Sequence, residues 1–273
     1  MVGVEPLVDA LDLEPTGEGT FRGQHVVANN YGVVFGGQLL AQSLIAGLSV
    51  HEGKRAKTLH IIFARGASPE SPLDITVEQL HGGRSFGSST VTIAQGDRVC
   101  TRALLLAAGD DDDVIHHEDA MPAVGEPPTV DAGDEWQVEV VGDVDVSDPD
   151  QVGPPELDVW SRFPGAPTDP VTDQALLAFA SDGFLIGTAM RPHPGVGQSQ
   201  AHKTLTTGVV SHTLTFHQPF SAADWLLLSH HSPFAGFGRC YGRANAFTPG
   251  GTLVASYVQD GMLRPRDPSK GAL

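Results

Sequence analysis

Only two cysteines, Cys100 and Cys240, occur in the 273 residues. That excludes a disulfide framework and any zinc site built on paired cysteines, and both read as buried apolar side chains. Long apolar runs are missing too. No stretch reaches the roughly 18 to 20 residues that a helix needs to cross a bilayer, so no membrane span is expected. The opening segment MVGVEPLVDALDLEP carries four acids where a secretory leader would carry Lys or Arg, and a cytoplasmic location is expected. Basic residues are scarce, 16 Lys plus Arg against 33 Asp plus Glu, for a formal charge of -17. A polyphosphate repels such a balance, so no nucleic-acid partner is expected. Gly36 and Gly37 open neither G-x-G-x-x-G nor G-K-[ST], which excludes the common nucleotide loops. The pairs His116, His117 and His230, His231 lack the further ligands of a metal centre, and neither metal nor cofactor is expected.

The acids that are present are unevenly placed. Residues 110 to 158 hold 17 of them with no Lys or Arg, which leaves 16 acids against 16 bases in the rest of the chain. This segment is rich in Pro and Gly (GEPPTV, QVGPPELD) and has the composition of a solvated connector. Within it WQVEVV alternates like a short strand. The division expected is an N-terminal unit over 1–112, an acidic connector over 113–158 and a C-terminal unit over 159–273.

The two units resemble each other. VVFGGQLLAQSLIAGLSV (33–50) repeats apolar residues at helical spacing and predicts a long buried helix. Four runs of strand character follow it, TLHIIFARG, PLDITVEQLHGG, SFGSSTVTIAQGD and RVCTRALLLAA. Beyond the connector the order returns: a helix over 173–190, then SHTLTFHQPF, WLLLSHHSPFAG, GRCYGRANAFTPGG and TLVASYVQDGMLRP. Phe63 and Phe216, Leu73 and Leu226, and Gly83 and Gly236 are each 153 positions apart, the mark of an internal duplication. A helix that is apolar all round must be buried, so the expected fold is α+β, two antiparallel sheets each wrapped around a long central helix. A duplicated small barrel would leave the helices unexplained.

Two polar residues stand out. Asp182 interrupts the apolar run LLAFASDGFLIG, where a carboxylate is costly unless it is paired or used; facing solvent or capping a break at Gly183 is the structural alternative. Gln259 lies on the last strand, on one face with Tyr257, Ala255 and Leu253, and a surface glutamine is the alternative there. His212 and His217 fall in a strand. No fixed order of His, Asp and Ser accompanies them, so they read as structural or pocket-lining.

Motifs in both halves resemble the acyl-CoA thioesterase II family, the TesB-like group with a double hotdog fold. They are FRGQ (21–24), VFGGQ (34–38), FARG (63–66), GRSF (83–86), FASD (179–182), SHTLTFHQPF (211–220), DWLLL (224–228) and GTLVASYVQDGMLR (251–264). The resemblance covers most of the chain apart from the connector. It implies hydrolysis of fatty acyl-CoA to free acid and coenzyme A, with an Asp, a Ser or Thr and a Gln holding a water. The Asp falls on Asp182 and the Gln on Gln259. The hydroxyl position falls on Val209, which has none, so Thr207 or Ser211, expected on the same strand face, would have to supply it. Ser211 is taken as the third catalytic candidate.

A thioester carbonyl needs a positioned water, a carboxylate to take its proton, and donors for the oxyanion. Gly36 and Gly37, at a helix N-terminus, would bring backbone amides near the acyl group. Arg65, Arg84 and Lys203, at strand and loop ends, are candidates for the coenzyme A phosphates, with solvated surface charge as the alternative. A hotdog enoyl-CoA hydratase or a non-catalytic acyl-CoA binding protein remain competing readings, and exposed sheet edges and faces favour a homo-oligomer.

Overall fold

The computed structural model describes residues 2–24, 32–129 and 133–267; Asp131 of the connector lies outside them. A short helix α1 (Val4–Asp9) and the hairpin β1 (Glu14–Gly17) and β2 (Thr20–Gly23) precede the long helix α2 (Gly36–Leu48). Strands β3 (Arg55–Phe63), β4 (Leu73–Gly82), β5 (Phe86–Gln95) and β6 (Arg98–Ala108) complete the first half. The second half contains β7 (Gln137–Val140), β8 (Glu156–Arg162), α3 (Pro170–Ser181), α4 (Leu185–Met190), β9 (Leu205–Phe216), β10 (Leu226–Gly236), β11 (Arg239–Phe247) and β12 (Leu253–Pro265). Among the described residues no helix is long and apolar enough to cross a membrane.

Period-two patterning builds the sheet. In β4 the buried side chains are Leu73, Ile75 and Val77, and in β5 they include Val91 and Ile93, so one face of each strand closes on the helices. Helix α2 is buried at every position except Gly36 and Ile45, which its all-round apolar sequence requires. The side-chain amide of its Gln42 donates to backbone, Nε2 to the carbonyls of Ala10 at 3.0 Å and Gln24 at 2.7 Å.

The two antiparallel sheets meet edge to edge in one twelve-stranded antiparallel sheet, ordered β1-β2-β4-β5-β6-β3-β9-β12-β11-β10-β8-β7. The join is β3 on β9, fastened outside the backbone ladder by His60 Nδ1 against Thr213 Oγ1 at 2.8 Å. His60 pairs with Thr213, Leu59 with Leu214 and Ile61 with His212. Residue 213 is the repeat counterpart of residue 60, since the two are 153 positions apart. A pseudo-twofold axis therefore passes through this pair, and the chain is a double hotdog. Gln174 of α3 ties the halves again, its amide bonding both the N–H and the C=O of Ala56 at 3.0 and 2.8 Å.

Two sequence expectations change. The helix expected over 173–190 is broken at Asp182-Gly183-Phe184, where Phe184 takes φ 71 and the Leu185 N–H bonds Gly183 O at 2.9 Å. The intrahelical ladder cannot continue through that turn. The acidic connector, besides forming β7 from its WQVEVV segment, docks on the outer face of the second half. Met121 and Val124 pack against Trp160, Trp225, Leu227 and Phe247, and Glu118 accepts from Gln218 Nε2 at 2.6 Å and from Leu253 N–H at 3.2 Å. Its later part, around Pro149, pairs with the loop at Gly195.

Candidate active site

The break between α3 and α4 lies against the N-terminus of α2. Asp182 is the C-cap of α3, and α2 has Phe35 at its N-cap with no side-chain cap bond. The Gly37 backbone N–H instead donates to the Asp182 carboxylate, so an acid from the second half does for α2 what a capping side chain ordinarily does. The approach is close. A Cβ on Gly36 would lie 2.7 Å from Asp182 Oδ2, and one on Gly37 would lie 2.2 Å from the Phe179 carbonyl oxygen. Only glycine fits either position.

Desolvation pushes the Asp182 carboxyl up to about 7 although the Gly37 amide pulls the other way. Its Oδ1 has no hydrogen-bond partner among the described residues. Gln259, on β12, is 2% exposed, not a surface residue. Its Nε2 donates to the Ser181 carbonyl at 3.1 Å and to His212 Nδ1 at 2.9 Å, which anchors the amide one residue from Asp182. Gln259 Oε1, like Asp182 Oδ1, is a buried acceptor with no partner among the described residues.

His212 sits at the base of this arrangement. Its Nε2 is 3.2 Å from Ser181 Oγ, whose own hydroxyl donates to the Ala178 carbonyl at 2.9 Å. Desolvation, helped by the nearby charge of His60, pushes His212 down to about 3, so the ring is neutral. Tyr257 stacks on it with ring centroids 5.5 Å apart. The Tyr257 hydroxyl is itself 2.7 Å from His230 Nε2.

The hydroxyl candidates are not brought to Asp182. The β9–β12 register slips between Asp260 and Gly261, with Ser211 opposite Asp260 and Val209 opposite Gly261. One extra residue, Val210, reverses the alternation there. Ser211 therefore turns to the outer face, where its Oγ donates to Asp260 Oδ2 at 3.0 Å, and does not share a face with Val209 as expected. Thr207 is buried but pairs with Leu263, and its Oγ1 lies 3.2 Å from His202 Nε2; four residues along the strand separate that level from Gln259, roughly 13 Å.

The basic candidates divide. Arg65 follows β3 at the α2 N-terminal end, where the Val34 N–H bonds the Ala67 carbonyl at 2.9 Å, and it is exposed with Nη1 on Val99 O at 3.3 Å. Lys203 is exposed in the turn before β9, at the same end of the sheet. Sequence reading missed three more bases there. Arg98 bonds the Gly66 carbonyl at 3.2 Å, Arg264 pairs across β9, and Arg266 donates to the His202 carbonyl. A cavity of about 250 Å³ opens beside them, lined by Leu205, Leu263, Arg239 and Arg264. Arg84 is elsewhere, exposed in the β4–β5 turn beside His51, against which Gly87 packs. That is the C-terminal end of the 13-residue α2, roughly 20 Å from Asp182. The same turn, GRSFG (83–87), has the spacing of a serine nucleophile elbow, yet it joins two strands rather than a strand and a helix.

The family model for the acyl-CoA thioesterase N-terminal domain matches residues 26–108, and that for the acyl-CoA thioesterase C-terminal domain matches residues 112–263. The chain belongs to the acyl-CoA thioesterase family. Relatives of this thioesterase include mouse acyl-coenzyme A thioesterase 8, 27% identical over 94% of the chain and 88% of the relative. Acyl-CoA thioesterase 2 of Haemophilus influenzae is 27% identical over 94% of the chain and 96% of its own length. Among solved structures, acyl-CoA thioesterase II TesB2 from Mycobacterium marinum superposes with a TM-score of 0.80 at 30% identity, covering 97% of this chain and 99% of that one. The thioesterase is thus an enzyme of the double hotdog class, with Asp182 at the junction of its halves.

Proposed function

We propose that this thioesterase hydrolyses acyl-CoA by a water held between Asp182 and Gln259. The observation that carries the reading is the pair of buried acceptors, Asp182 Oδ1 and Gln259 Oε1, neither with a donor among the described residues. A water has two protons and supplies both acceptors at once. As its oxygen attacks the thioester carbonyl, Asp182 takes one proton. The C–S bond then breaks, and the departing thiolate receives that proton from the Asp182 carboxylic acid. Water and thioester become acid and coenzyme A.

A carboxyl at about 7 suits both halves of this cycle, since it gives up and regains a proton near neutral pH. No hydroxyl side chain takes part: the mechanism uses Asp182 and Gln259 alone. The bases Arg65, Lys203, Arg98, Arg264 and Arg266 at the α2 N-terminal end fit the coenzyme A phosphates, and Arg84 takes no part. A hydratase reading is disfavoured because both ring nitrogens of His212 are engaged by protein groups, leaving neither to face an alkene. The exposed Ile62, Leu104 and Leu106 on the outer sheet face favour a homo-oligomer.

The test is thiol release from acyl-CoAs of graded chain length. Asp182→Asn should lower kcat by about 100-fold or more, and wild-type turnover should rise with pH to a plateau, with its midpoint near 7, because the ionised carboxylate is the active form. Undiminished turnover in Asp182→Asn rejects the base. Loss of enoyl absorbance without thiol release would favour the hydratase, and tight binding without turnover the non-catalytic reading.

A further inference from the structure

The side chain that decides which end of the Gln259 amide meets the water is outside the Asp182–Gln259 pair. An amide presents an oxygen on one side and an NH₂ on the other, and rotation by half a turn exchanges them. Holding a water that must also donate to Asp182 needs the oxygen. With NH₂ in its place, the water would meet a donor and turn its own protons elsewhere.

Two acceptors hold the NH₂, the Ser181 carbonyl at 3.1 Å and His212 Nδ1 at 2.9 Å. A carbonyl is always an acceptor. A histidine nitrogen is one only in the correct tautomer, and here the tautomer is set from the opposite side of the ring. Ser181 Oγ gives its proton to the Ala178 carbonyl and so faces His212 Nε2 as an acceptor. The proton then sits on Nε2, and Nδ1 is bare. The chain runs Gln259 Nε2–H to His212 Nδ1, His212 Nε2–H to Ser181 Oγ, and Ser181 Oγ–H to Ala178 O, every donor with an acceptor.

The pseudo-symmetric half supplies an internal control. The counterpart of His212, 153 positions earlier, is Leu59. Its partner on the neighbouring strand, in the place of Gln259, is Leu105, and both leucines are buried. The fold therefore closes over this pair of positions with two leucines as readily as with a histidine and a glutamine. Packing does not demand the polar pair in the second half.

We infer that His212 is a positioning residue, which, in the tautomer imposed by Ser181, locks the Gln259 amide with its oxygen toward the hydrolytic water. This rests on the water-holding reading above. It makes no claim of proton transfer by His212 itself.

A double-mutant cycle in kcat and KM tests it. His212→Leu should lower kcat about 10-fold or more and move KM less than about threefold, because orientation rather than binding is lost. Gln259→Leu should cost at least as much, and the double variant no more than Gln259→Leu alone, since nothing remains for His212 to orient. The double variant restores a leucine pair of the kind the first half already folds around. His212→Asn places an amide oxygen where Nδ1 was and should recover kcat to within about threefold of wild type, whereas His212→Gln keeps only the Ser181 side and should not. Ser181→Ala removes a single oxygen and frees the tautomer, so kcat should fall severalfold at unchanged KM. Ring ¹⁵N spectra of the wild-type enzyme should show a bare Nδ1 and a protonated Nε2. Losses that multiply in the double variant, a protonated Nδ1, or wild-type kcat in His212→Leu would overturn the inference while leaving the water reading intact. Wild-type kcat in Gln259→Leu would remove both.

Discussion

At the scale of single residues, the Asp182 carboxylate caps a helix of the other half and is still pushed up to about 7. The helix N-terminus stabilises its charged form through Gly37, and desolvation opposes this more strongly, so the carboxyl is pushed up to about 7. The sign for stability follows. The folded-state value lies above the ordinary carboxyl value of 3.8, so stability is fully present below 3.8 and is lost as pH rises toward about 7. Asp182→Asn should abolish this loss and be more stable than wild type at neutral pH, by up to about 4 kcal/mol for a shift of this size. Urea unfolding of both proteins across pH 4 to 8 checks it: their difference should grow with pH. The difference matters because buried, neutral His212 and His230, held down at about 3 and about 4, act in the opposite direction as pH falls. Asp182 was legible in the sequence, because an acid in LLAFASDGFLIG has few bland explanations. Its partner at Gly37 was not, because two glycines show only that space is short, not what fills it.

At the scale of elements, the long strands and α2 were readable from periodicity, and the 153-residue offset places strand ends correctly: β3 ends at Phe63 and β9 at Phe216, β4 begins at Leu73 and β10 at Leu226. Alternation failed where a single residue broke it. The bulge at Val210 leaves no mark in VVSHT, yet it moves Ser211 to the other face of the sheet. The break was in view only as the alternative at Gly183, and the positive φ at Phe184 carries no composition signal. Where α2 meets α3, contact is backbone against backbone. Gly37→Ala would place a methyl 2.2 Å from the Phe179 carbonyl and 2.5 Å from the Phe35 ring. Moving the helices apart should cost about 3 kcal/mol of stability and, by withdrawing the amide from Asp182, lower turnover as well. Thermal unfolding and a kcat measurement on the same preparation would register both effects; unchanged values for both would mean the helices can part freely there.

For the whole molecule, total charge proved a poor guide and its distribution a good one. The bases at the α2 N-terminal end gather from the ends of β3, β6, β9 and β12, which together span more than 150 residues of the chain, so only the closed sheet assembles them. Arg65→Ala combined with Arg264→Ala should raise KM for acyl-CoA severalfold, and added salt should shrink the gap between variant and wild type; equal KM values at low salt would place the coenzyme elsewhere. The outer face is uneven as well, covered by the connector over the second half and bare at Ile62, Leu104 and Leu106 over the first. Leu104→Lys should shift the enzyme toward its single-chain mass in analytical ultracentrifugation if this face joins copies, since a charge is poorly tolerated in a buried contact.

The axis through His60 and Thr213 also governs stoichiometry. Two identical chains paired about a true twofold would carry every active-site residue twice, and each mutation would strike both sites. Here the halves are covalently joined, and the proposed centre draws on both: Gly36 and Gly37 bring backbone from one, Asp182 and Gln259 bring side chains from the other. At the mirrored location Leu59 and Leu105 stand in place of His212 and Gln259. On the proposed mechanism the described residues form one reaction centre of this kind, and the first half is free to change sequence wherever the second half supplies the chemistry.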